Sequence, residues 1–161
     1  MNIPNTKIVV AGDFHGQLDS LNLLFDEAGE PCPNNPYVFL GDYADRGKYG
    51  IELVSLLLAY KFLFPLQIIL LRGMHELKPI NQIYGLKDEC TTKYPNTHHW
   101  DKINQVFECL PLAAEINSRI FCCVGGLTPN LDSVEKIKGL SDSAHNPSQQ
   151  GNYSVTKKLM A

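Results

Sequence analysis

Four apolar runs, residues 7–11, 37–40, 67–71 and 119–123, each meet a glycine within two residues of their end, at Gly12, Gly41, Gly73 and Gly125. Runs without polar alternation fit strands buried on both faces, as in α/β sheets, better than strands with one wet side. Behind the first three glycines stand Asp13 and His15, then Asp42, Asp45 and Arg46, then His75. Ligands of open α/β sheets bind beyond the carboxyl ends of the strands. Polar side chains repeated at that edge therefore point to one shared site.

Helical patterns separate the runs. Leu18, Leu21, Leu24, Phe25 and Ala28 recur at spacings of three and four and stop at Gly29; further helices are expected over 51–64, 80–94 and 100–110, with a short one near 133–138. The stretch 51–71 has the length of a bilayer span. It carries Glu52, Lys61, Pro65 and Gln67, so it divides into a buried helix, a turn at Pro65 and a strand. A chain of 161 residues, 44% hydrophobic, has the size of one domain. The domain is expected over 1–140, and the Ser-, Asn- and Gln-rich residues 141–161 read as a polar, disordered tail.

A net charge of -3, with lysines and arginines scattered, leaves no basic footprint for nucleic acid. The five cysteines form no C-x-x-C pair and no zinc spacing, and their odd number argues against a disulfide framework. The opening residues MNIPNTK carry no apolar leader. These features predict a cytoplasmic or nuclear protein with no nucleic-acid and no membrane partner. His98, His99 and His145 read as surface histidines, and Cys122 and Cys123 as small buried hydrophobes.

Alternate side chains of extended backbone share a face, so Asp13 and His15 can aim at one point, which Asp42 reaches from the second strand. This mixture of oxygen and nitrogen donors suits manganese, iron or zinc. "GDFHG" alone is weak, since Asp and Gly are ordinary loop formers. "GDYADRG" strengthens it: Asp42 can bridge two cations, Arg46 offers a forked guanidinium to a phosphate, and Asp45 is free to hold a histidine, with His75 the obvious partner.

The blocks "GDFHGQ", "GDYADRG", "RGMHE", "NQIYGLKDEC" and "IFCCVGGLTP" resemble, in order and spacing over roughly residues 7–131, the signature blocks of the Ser/Thr phosphoprotein phosphatases, type 1 above all. The resemblance implies an α/β chain, the N-terminal half of a metallophosphoesterase β-sandwich flanked by helices. The four strands would lie in one sheet, with the second sheet largely missing. It also implies a two-metal phosphomonoesterase, in which water held between the metals attacks phosphorus in line. Asp13, His15 and Asp42 would hold the first metal, with Asp42 shared by both. His75 would be the general acid oriented by Asp45, and Arg46 would clamp the phosphate. Partners would be phosphoserine or phosphothreonine proteins, or regulatory subunits.

Two blocks depart from the pattern. Met74 stands where the family has a metal-binding asparagine, and Val124 where it has a metal-binding histidine. A thioether is a poor donor to a hard cation and valine is none. The family's domain continues for roughly another hundred residues, within ordinary domain sizes, and that part carries a further histidine ligand and a second phosphate-binding arginine. One divalent metal is therefore expected, the second site being lost, with weak or absent hydrolysis. The alternatives are a non-catalytic pseudophosphatase that binds phosphorylated or regulatory partners, and a truncated product without a stable folded role. The inner faces of Val9, Phe39, Ile69 and Phe121 are expected to lack cover, which would favour self-association.

Overall fold

The second apolar run, Tyr37–Phe39 (β2), is the centre of the molecule. It pairs in parallel with Val9–Ala11 (β1) on one side and Ile68–Leu70 (β3) on the other, in the register Val10, Val38, Ile69. The computed structural model describes residues 7–125 together with Ser133 and Lys136; the expected tail over 141–161 and most of the short helix over 133–138 lie outside them.

Alternation of side chains explains why these strands are apolar throughout. Val9, Ala11, Tyr37, Phe39, Ile68 and Leu70 enter the larger core, against Leu18–Ala28 (α1) and Gly50–Leu63 (α2). The intervening Ile8, Val38, Leu40, Ile69 and Leu71 enter a second core on the opposite face. That face is covered by a hairpin of Ala113–Ile116 (β4) and Ile120–Cys123 (β5), whose Ala114, Ile116 and Cys122 join the same cluster.

The hairpin corrects two expectations. The run 119–123 does not extend the first sheet; it pairs antiparallel with β4, a strand the sequence pattern missed because Ala113, Ala114 and Glu115 carry little β preference. Two strands of the second layer are thus present and cover the face that carries Ile69, whereas Val9 and Phe39 lie on the other face, in the helical core. Phe39 is fully buried, and Val9, Ile69 and Phe121 are part-buried. The uncovered apolar positions of the described strands are Val10 on β1, 45% exposed, and Ile120 on β5, 52% exposed.

The predicted helix over 80–94 is two. Lys78–Tyr84 (α3) and Leu86–Lys93 (α4) meet at Gly85, whose φ of 133° lies where only glycine is at ease. His99–Glu108 (α5) completes the helical layer. No helix among the described residues is long and apolar enough to cross a membrane, and all five cysteines are free.

Helix α4 braces the start of α2. Glu89 accepts the backbone N–H groups of Gly50 and Ile51 (both 3.1 Å), which α2 leaves unbonded at its first turn. Lys93 joins the same cluster, donating to Glu89 (2.8 Å) and to both carboxylate oxygens of Glu52 (2.7 Å). Burial alone would push the Glu52 carboxyl up, but the hydrogen bond and charge of Lys93 outweigh it and leave the group below the usual range. A depressed carboxyl contributes stability above its unfolded pKa and loses it as pH falls through the folded one. Glu52→Gln is therefore expected to lower the melting temperature at neutral pH, with the difference from the parent closing as pH drops below the ordinary carboxylate range. Thermal melts of both proteins across that range check this.

Candidate active site

All six polar residues singled out at the strand ends lie in three loops, after β1, after β2 and after β3. Four of them have left-handed backbones: His15 (φ 46°), Asp42 (53°), Asp45 (69°) and Arg46 (63°). Such conformations are costly for residues with a Cβ and persist where the surroundings impose them. Here backbone bonds do so. The Asp42 carbonyl accepts from the Phe14 and His15 N–H groups (3.2 and 3.0 Å), the Tyr43 carbonyl from Gly16 (2.8 Å), the His15 carbonyl from Gly47 (2.9 Å) and the Tyr84 carbonyl from Arg46 (3.1 Å).

The loops after β2 and β3 are pressed together at two glycines. A Cβ on Gly41 would lie 2.5 Å from the Gly73 nitrogen, and one on Gly73 would lie 2.4 Å from Asp42 Oδ1. Glu76, wholly buried, closes this junction. Its Oε2 accepts from the Asp42 and Gly73 N–H groups (both 2.8 Å) and its Oε1 from Tyr43 (2.9 Å). The Tyr43 hydroxyl in turn donates to the Leu71 carbonyl (2.7 Å). Burial, assisted by the charge of Asp42, pushes the Glu76 carboxyl up to about 7 against the pull of its three N–H donors.

His15, Asp42 and His75 bring ligand atoms within 4.8 Å of one another, the one such group among the described residues. The His15 Nδ1–H donates to the Ala44 carbonyl (3.2 Å), leaving Nε2 free as a donor atom. Asp13 stands at the rim, half-exposed, its Oδ2 3.9 Å from His15 Nε2. Asp42 is buried, and its Oδ1 accepts the His75 backbone N–H (2.8 Å). The His75 Nδ1–H donates to Asp45 Oδ2 (2.7 Å), while Asp45 Oδ1 accepts from the Leu86 N–H (2.8 Å). Burial draws the His75 imidazole down, but the Asp45 hydrogen bond with the charges of Asp42 and Asp45 raises it overall, against the opposing charge of Arg46. Its Nε2 is buried with no hydrogen-bond partner among the described residues. Arg46 is exposed at the entrance.

The His15 imidazole and the Asp42 carboxylate, with Asp13 at the rim, are a donor set that fits a divalent cation, and His75 Nε2 faces them across the same opening. The positions expected to hold a second cation do not fit. Met74 and Val124 both pack on Leu77 and Leu112, in an apolar cluster with Ile80, Ala113 and Phe121. Sequence reading expected Asp13, His15 and Asp42 as the metal set; the group that converges is His15, Asp42 and His75, and Glu76, Glu89 and Asn81 were missed. Each of these works through backbone groups brought near only by the fold, and sequence spacing carries no trace of such a partner.

Comparison with known proteins bears on the fold and the family. A family profile described as calcineurin-like phosphoesterase matches residues 6–160. A protein serine/threonine phosphatase from Saccharomyces cerevisiae, with similarity to human phosphatase PP5, superposes with a TM-score of 0.85 at 35% identity, over 98% of this chain and 49% of that one. The chain thus spans about half the length of that structure. A cold-active protein-tyrosine phosphatase of a Shewanella species (TM-score 0.69, 20% identity, 91% of this chain and 52% of the other) shares the fold. So does a putative diadenosine tetraphosphatase (0.59, 20%, 84% and 58%).

Glu76→Gln replaces an acceptor-only group by one whose NH₂ must face a backbone N–H. Charge-assisted hydrogen bonds contribute about 1.5–3 kcal/mol each. The variant is expected to lose roughly 3 kcal/mol of stability and to bind a divalent cation more weakly, because Asp42 loses its anchor. Denaturant unfolding and calorimetric metal titration check the two effects.

Proposed function

The chain belongs to the calcineurin-like phosphoesterase family, and from that premise we propose that it is a single-cation Ser/Thr phosphomonoesterase of low turnover. The observation that carries this reading is the shared location of Met74 and Val124. The two departures from the family's ligand set lie in one apolar cluster around Leu77 and Leu112, while His15, Asp42 and His75 converge at the sheet edge.

Asp13, His15 and Asp42 are the groups to hold the cation, with manganese, iron or zinc all compatible with the donors. When bound, the cation supplies polarisation of a phosphoryl oxygen and activation of water. The chain's own residues do the rest. Arg46, exposed at the entrance, takes the non-bridging oxygens of a phosphate through its forked guanidinium. His75 carries its proton on Nε2 toward the departing serine or threonine oxygen. Asp45, on the opposite ring nitrogen, fixes the orientation and favours the protonated form. Without a second cation to stabilise attacking and leaving oxygens together, one well-placed stabiliser is missing, which commonly costs ~100- to 1000-fold in rate. Phosphorylated serine and threonine proteins of the cytoplasm or nucleus are the substrates this reading implies.

A second reading rests on the same residues. Arg46 and one cation suffice to bind a phosphate, and the apolar cluster removes the two-metal clamp, which suits a pseudophosphatase that recognises phosphorylated partners without hydrolysing them.

Manganese bound per chain and hydrolysis of an activated aryl phosphate test both. One equivalent of manganese with slow, Arg46-dependent hydrolysis is expected. Phosphate binding without hydrolysis favours the pseudophosphatase, and two equivalents with fast hydrolysis overturn the single-cation reading. Met74→Asn alone places an amide in an apolar cluster and is expected to destabilise by about 1–3 kcal/mol without gaining metal. Met74→Asn combined with Val124→His is expected to raise manganese above one per chain.

A further inference from the structure

Two fully enclosed asparagines, Asn81 on α3 and Asn104 on α5, form a polar chain through the helical layer that ends on the backbone of His75. We propose that Asn81 positions His75 for its work, and that α5 sets the orientation of Asn81 through Trp100. The proposal rests on the phosphomonoesterase reading for what His75 does; the placement of His75 stands on the geometry alone.

His75 sits in a 3-10 turn, Met74–Glu76, and is held at three atoms. Its N–H donates to Asp42 Oδ1, its Nδ1–H to Asp45 Oδ2, and its carbonyl accepts from Asn81 Nδ2 (3.2 Å). The first two partners come from the loop after β2. Asn81 is the partner from the helical side, so without it the turn can tilt relative to Asp45.

Hydrogen-bond chemistry determines which way the Asn81 amide faces. The Trp100 Nε1–H can only donate, and it donates to Asn81 Oδ1 (2.7 Å). Asn81 Nδ2 is thereby directed at the His75 carbonyl and at Asn104 Oδ1 (2.8 Å). Asn104 Nδ2 adds a longer bond to Asn81 Oδ1 (3.3 Å) and donates to the Trp100 carbonyl (2.9 Å). The Trp100 ring is itself braced, with the Lys78 and Lys87 ammonium groups 4.7 and 4.8 Å from its centroid. Losing the Trp100 N–H would remove the shorter of the two bonds on Asn81 Oδ1 and leave the amide oriented through Asn104 alone, and an inverted amide sets oxygen against the His75 carbonyl.

The test is nitrogen-15 histidine NMR of the folded chain, following the low-field His75 Nδ1–H resonance, with Trp100→Phe and Asn81→Ser. Trp100→Phe keeps an aromatic ring and removes the donor, so it reads the network even if Asn81→Ser fails to fold. Both variants are expected to shift or broaden that resonance. Phe25→Leu, a core change on α1 that lowers stability without touching the network, is expected to leave it in place. Where the parent hydrolyses an aryl phosphate with manganese, Trp100→Phe is expected to lower kcat by ~10- to 100-fold, as other outer supporting contacts do, with KM unchanged. An unmoved His75 resonance in folded Trp100→Phe overturns the proposal, as does an equal shift in Phe25→Leu. A parent that neither binds manganese nor hydrolyses phosphate defeats the phosphomonoesterase reading and leaves the resonance test intact.

Discussion

One carboxylate with no access to water holds the site's loops in place. Glu76 accepts N–H groups from Asp42, Tyr43 and Gly73, so the chain leaving β2 and the chain leaving β3 are bonded to the same group. Burying a charge is costly unless it is hydrogen-bonded, and three donors are what makes this one tolerable. Asp42 and His75 inherit their separation from that junction. The convergence of these side chains at the sheet edge thus rests on backbone bonding to Glu76 together with the His75 N–H bond to Asp42.

The sequence made the first layer of the fold legible because physics wrote it redundantly. β2 is buried on both faces, so Tyr37, Val38 and Phe39 must all be apolar, and glycine must follow where the loops touch. Asp13, His15, Asp42, Asp45, Arg46 and His75 could be listed because they sit at fixed offsets from those glycines. Where two influences compete, pattern alone fails. Ala113–Ile116 has weak strand preference and is a strand because Ile120–Cys123 pairs with it and the sheet face needs cover. Residues 80–94 have one helical period, yet the break at Gly85 leaves the Leu86 N–H free to meet Asp45.

Asn81, Asn104 and Trp100 lie at the limit of what sequence can show. A polar residue inside a helical pattern reads as surface, and only the packing of α3 against α5 makes these buried and mutually satisfied. The cluster of Met74, Val124, Leu77 and Leu112 illustrates the converse. Each substitution looks like the loss of a ligand when read alone. Together in space they pack on Leu77 and Leu112, and so an asparagine or histidine at either position alone would leave an amide or imidazole among hydrocarbon.

The left-handed backbones at His15, Asp42, Asp45 and Arg46 carry a wider implication. Each costs of order 1–3 kcal/mol, and glycine would relieve that cost at any of them. Glycine there would exchange strain for freedom of the loop, so the loops around His15 and Asp42 keep their shape at the expense of stability in their own backbones.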